Sequence, residues 1–148
     1  MPTLKEESLK LKSFKKFFRG KTILMVDDDP NWTKALKMLL DTLGASVNTA
    51  LSGKEAVHYL RAAKYDLILL DIQMPGIDGW DLFAIMKQVC PGQELPVFFL
   101  TGLAEVSQTK FIAKLPLNPE RVLQKKMPPL EILFQISTQT EQSSKHKK

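Results

Sequence analysis

Apolar positions along the chain alternate between two periods. Five short runs, Ile23–Val26, Ser46–Ala50, Asp66–Leu70, Pro96–Leu100 and Arg121–Gln124, lie among polar or turn-forming residues. Short apolar runs bounded this way read as strands, those rich in Ile, Leu, Val and Phe being buried on both faces. Between them apolar residues recur every three or four positions. Trp32, Ala35, Leu36, Leu39, Leu40 and Leu43 form one such stripe, Ala56, Val57 and Leu60 a second, and Leu82, Phe83, Met86 and Val89 a third. The first predicts a helix entered through Asp29 as N-cap and Pro30 in its first turn, and stopped by Gly44. The second predicts a helix over Gly53–Ala63, capped by Ser52. The third predicts one over Asp78–Val89, broken by Cys90-Pro91-Gly92. Ala104–Lys114 predicts a short helix cut off by Pro116 and Pro119. Pro128 opens a last helix with Leu130, Leu133 and Phe134 on one face, and from Ser137 the chain turns polar. Strands alternating with helices predict an α/β fold: a doubly wound, five-stranded parallel sheet with helices on both faces. One domain over residues 21–137 is expected, followed by a disordered basic tail over 138–148.

Residues 1–20 place Leu11, Phe14, Phe17 and Phe18 at helical spacing among lysines. Such a basic N-terminal extension suits contact with a membrane or a partner. The weightier expectation is a solvated extension, or a helix that packs its own phenylalanines on the domain.

The 148 residues suit a single core, and 44% hydrophobic with 25% charged residues is ordinary for a soluble globular chain. Cys90 is the only cysteine, which excludes an internal disulfide and suits a reducing compartment. No apolar run approaches transmembrane length and the N-terminus lacks the apolar core of a signal peptide. A cytoplasmic protein is therefore expected. The net charge of +5 resides at the ends: residues 1–21 hold seven basic and two acidic residues, and residues 137–148 hold three and one. The middle carries 11 basic against 13 acidic residues, so charge gives no support to nucleic-acid binding.

In open parallel sheets, chemistry gathers at the carboxyl ends of the strands. There the predicted strands deliver Asp27 and Asp28, then Asp71, Thr101 and Lys125. Three carboxylates cannot stand close together ionised without compensation. Mg²⁺, a hard cation that takes carboxylate oxygens, could supply it. A carboxylate beside Mg²⁺ suits phosphoryl transfer, its oxygen attacking in line to give an aspartyl phosphate. Lysine and threonine can bind the remaining oxygens.

The segments ILMVDDDP, LILLDIQMPGIDGWDL and VFFLTG, with LGASVNTALSGKEAVHYL between the first two, resemble the response-regulator receiver domain of two-component signalling over about residues 21–136. The resemblance implies a flavodoxin-like fold with strand order 2-1-3-4-5. It implies phosphorylation by a histidine kinase or phosphotransfer protein, and a change on the face around the fourth and fifth strands. By position, Asp71 resembles the phosphoacceptor and Asp27 and Asp28 the acidic pair, with Asp28 the direct metal ligand. The main-chain carbonyl of Gln73 would be the third protein ligand, Thr101 the switch hydroxyl and Lys125 the phosphoryl-binding residue. Two departures stand out. Lys126 replaces the usual proline, so a register slip of one would make Lys126 the active lysine. Val122, or Leu123 in the slipped register, stands where an aromatic switch residue is common.

The expectation is a single-domain response regulator, not an enzyme beyond its own phosphorylation and dephosphorylation, that signals to a downstream protein through protein contacts. A homodimer through the fourth- and fifth-strand face is compatible with this. Val122 and the proline-containing segment before it motivate an alternative, a receiver-fold adaptor with impaired switching. A phosphohydrolase with Asp27 as nucleophile and Asp29 as acid is a more distant one.

Overall fold

The five apolar runs become the strands of one sheet: β1 (Thr22–Val26), β2 (Ser46–Ala50), β3 (Leu67–Asp71), β4 (Val97–Thr101) and β5 (Val122–Gln124). The computed structural model describes residues 3–72, 74, 79–89, 97–102 and 122–146, with 79, 80 and 141–146 described as backbone only. All four strand pairings are parallel and the order is β2-β1-β3-β4-β5. Every residue of β3 and β4 is buried, the burial that unbroken apolar strands require. The chain goes from β1 outward to β2, then returns past β1 to β3. The order therefore reverses between β1 and β3, and a crevice opens there at their carboxyl ends.

Among the described residues five helices flank the sheet: α1 (Leu4–Phe18), α2 (Pro30–Thr42), α3 (Gly53–Ala62), α4 (Gly79–Val89) and α5 (Pro129–His146). Their starts follow local chemistry. Thr3 and Glu6 form a reciprocal capping box on α1. Asp29 Oδ1 accepts the N–H groups of Asn31 and Trp32 at the head of α2, and Ser52 accepts that of Glu55 on α3. Gly44, at φ +87, makes the left-handed turn from α2 into β2.

The alternating side chains of the strands feed two apolar clusters. Ile23, Met25, Leu67, Leu69 and Phe98 meet α1, α2 and α5 on one face. Leu24, Val26, Ile68, Leu70 and Phe99 meet α3 and α4 on the other. In α1, Phe14 and Phe18 are buried in the first cluster, and Phe14 meets Phe134 of α5 edge-on at 6.0 Å. The phenylalanines of the basic helix are thus packed on the domain rather than presented to a membrane.

Several boundaries differ from the expected ones. β3 and β4 each run one residue further, because Asp71 pairs with Leu100 and Thr101 with Gln124. Leu130, Leu133 and Phe134 do not share one buried face: Leu130 is 46% exposed and the buried stripe of α5 is Ile132, Leu133 and Ile136. Instead of a disordered tail from residue 138, α5 continues to His146. Thr138 and Thr140 donate to the carbonyls of Phe134 and Ile136 one turn back, and Gln139 donates to Gln135. The short helix expected over Ala104–Lys114 lies outside the described residues. Among the described residues no helix is long and apolar enough to cross a membrane.

Candidate functional site

β1 carries its ladder one residue past its end, where Asp27 N–H donates to Ala50 O at 3.0 Å. This extension turns the Asp27 carboxylate into the crevice, where Oδ1 accepts the Asp29 N–H at 2.9 Å. Asp27 is fully buried and Asp28, next along the chain, is exposed. β3 delivers Asp71, 4% exposed, and β4 delivers Thr101, 1% exposed. Past β5, Lys125 N–H donates to Thr101 O at 2.9 Å, which aligns the lysine with the end of β4.

The Lys125 ammonium then crosses the sheet edge. Its Nζ lies 2.5 Å from Asp27 Oδ2 and 3.3 Å from Asp71 Oδ2. One oxygen each from Asp27, Asp28 and Asp71 lie within 4.8 Å of one another. Among the described residues, three carboxylates therefore face the Lys125 ammonium, an excess of negative charge. Hard oxygen donors in negative excess fit a divalent hard cation better than a second organic cation. Lys126 is exposed, and the side chain that enters the crevice is Lys125. Val122 is half-buried and packs on the cluster under α3 and α4. Gln73 and residues 75–78 lie outside the described residues, while Met74 is buried.

Burial by itself pushes the Lys125 ammonium toward its neutral form. The hydrogen bond and charge of Asp27, then those of Asp71, outweigh that effect and hold the pKa above its ordinary value of 10.5. A lysine with a raised folded-state pKa confers stability that is fully present below its unfolded pKa and is lost as pH rises through the folded one. Lys125→Met should therefore melt below wild type at neutral pH in EDTA, and the gap should narrow above about pH 10.5. A constant gap up to about pH 11.5 would mean that the charge of Lys125 contributes nothing.

Sequence reasoning placed Trp32 in the apolar stripe of α2 and missed a second contact. Lys125 Nζ stands 5.1 Å from the centre of its ring. The two residues come from opposite ends of the domain, and no periodicity links them.

Residues 23–137 match the family described as the response regulator receiver domain. The chain belongs to that family. It is 32% identical over 120 residues to Response regulator GtcR of Aneurinibacillus migulanus, covering 81% of this chain and 48% of that protein. It is 44% identical over 80 residues to Transcriptional regulatory protein GlrR of Escherichia coli (strain K12), covering 54% of this chain and 18% of that protein. The receiver thus spans less than half the length of these two curated relatives. Among solved structures, a CheY-like response regulator receiver domain protein from Methanospirillum hungatei JF-1 shares its fold at a TM-score of 0.71 and 24% identity, covering 86% of this chain and 98% of that one. A receiver domain implies a phosphoacceptor role within two-component signalling, where such domains meet histidine kinases or phosphotransfer proteins.

Proposed function

We propose that Asp71 accepts a phosphoryl group from a phosphohistidine of a histidine kinase or phosphotransfer protein. The observation that carries this reading is the convergence of Asp71, Asp27 and Lys125 at the edge where the strand order reverses. An Asp71 oxygen attacks phosphorus and an acyl phosphate bond forms. The bond from phosphorus to the donor imidazole breaks, and its electron pair leaves with the imidazole nitrogen. Lys125 already contacts Asp71 Oδ2 and is within reach of the arriving oxygens. Thr101, at the end of β4, is the hydroxyl assigned to sense them. Asp27, Asp28, Asp71 and the Gln73 carbonyl would hold Mg²⁺, which when bound offsets the charge on the phosphoryl oxygens.

The protein acts on this reading as a phosphoacceptor whose only chemistry is on itself. Its output runs to a downstream protein through the face around β4 and β5. A phosphohydrolase using Asp27 and Asp29 finds little support, because Asp29 is the N-cap of α2 and its Oδ1 is engaged with Asn31 and Trp32.

Acetyl phosphate with Mg²⁺ should add one hydroxylamine-labile phosphoryl group per chain, mapped to Asp71 by mass spectrometry. Stable incorporation elsewhere, or none, would overturn the assignment.

A further inference from the structure

We propose that Trp32 is a positioning residue for Lys125, its indole face backing the ammonium so that it stays over Asp27 and Asp71. The inference rests on the phosphoacceptor reading and goes beyond it, since it concerns a residue of α2 that touches none of the reacting atoms.

A lysine side chain is a compact charge on a flexible stem, so its position in a pocket needs external restraint. Two carboxylates attract Lys125 Nζ from one side, at 2.5 and 3.3 Å. The Trp32 ring lies 5.1 Å away, inside the range in which an aromatic face attracts a cation. Trp32 is itself held. Its ring packs on the apolar cluster beneath α2, and its backbone N–H donates to Asp29 Oδ1 in the N-cap of that helix. Asp29 N–H in turn donates to Asp27 Oδ1, so the backbone at the start of α2, from which the ring projects, is fixed relative to the carboxylate that binds the lysine. The restraint also suits the local sequence. Lys126 is exposed and carries no ring that would stiffen the chain after Lys125.

The test compares Trp32→Phe, which keeps an aromatic face, with Trp32→Leu, which keeps an apolar side chain without one. Phosphorylation by acetyl phosphate with Mg²⁺ should slow about three- to tenfold in W32L and stay near wild type in W32F, the range expected of a partly desolvated cation–π contact. Equal rates in all three proteins, or equal slowing in both variants, would overturn the proposal. The second measurement needs no variant. The ε-methylene protons of Lys125 in the wild type should resonate upfield of those of the other lysines, because the ammonium they adjoin stands over the Trp32 ring, and their appearance among the other lysines would overturn it too. If the wild type itself takes no phosphate on Asp71, the phosphoacceptor reading fails, whereas the lysine resonance still decides whether Trp32 holds Lys125.

Discussion

Asp71→Asn should take up no phosphate from acetyl phosphate and should nevertheless melt at a higher temperature than wild type in EDTA. The first half follows from chemistry, because an amide oxygen is far too weak a nucleophile to displace the donor. The second half follows from charge. Asp27, Asp28 and Asp71 bring their oxygens within 4.8 Å of one another, and among the described residues the ammonium of Lys125 faces them. Like charges that close disfavour one another. Removing Asp71 leaves the fully buried Asp27 paired with Lys125 at 2.5 Å, so among the described residues the substitution strands no buried charge. An asparagine oxygen can still accept from the ammonium. A gain of about 1 kcal/mol would raise the melting temperature by roughly 2–4 °C in a chain of this size. Adding Mg²⁺ should reverse the order, since the wild type offers the cation one more carboxylate. Labelling of the variant at the wild-type rate would sink the assignment of Asp71. A clearly lower melting temperature in EDTA would sink the account of negative excess.

The residues of this site were legible in sequence because each ends an apolar run, and a parallel sheet brings the ends of its strands to one edge. Asp27 and Asp71 are far apart in the chain, yet strand order makes them neighbours, and Lys125 reaches both from the end of β5, past β4, on its long side chain. Where the reading slipped, the cause was tertiary. Periodicity could not show that Asp71 and Thr101 are the last residues of their strands, since that depends on Leu100 and Gln124 as partners on the next strand. On α5, two stripes share Leu133: one runs through Leu130 and Phe134, the other through Ile132 and Ile136. Both have helical spacing. The sheet takes the second stripe and α1 takes the Phe134 flank, which leaves Leu130 exposed. Trp32 shows the same limit, because a residue in an apolar stripe can present a ring face to a distant cation without any local sign.

Phe18→Ala should be strongly destabilising, costing about 3–5 kcal/mol. Phe18 is fully buried in the cluster that contains Ile23, Met25, Leu36 and Leu40, and it meets Phe17 edge-on at 4.8 Å. Truncation would leave a cavity at the junction of α1 with the sheet, where α1 leads into β1 through Arg19, Gly20 and Lys21. At roughly 2–4 °C per kcal/mol, the melting temperature should fall by about 10 °C. Leu4→Ala supplies the control from the same helix. Leu4 is 85% exposed, so its loss should leave stability within about 0.5 kcal/mol of wild type. The contrast separates two roles for a basic amphipathic helix. If α1 were held in reserve for a lipid surface, Phe18 and Leu4 would be similarly dispensable in solution, and equal melting temperatures would support that. A large drop confined to Phe18→Ala would mean that α1 is part of the receiver's own core. Phe14 against Phe134, with Lys10 Nζ 4.5 Å from the same ring, would then tie the N-terminal helix to α5, the helix that follows the crevice lysine.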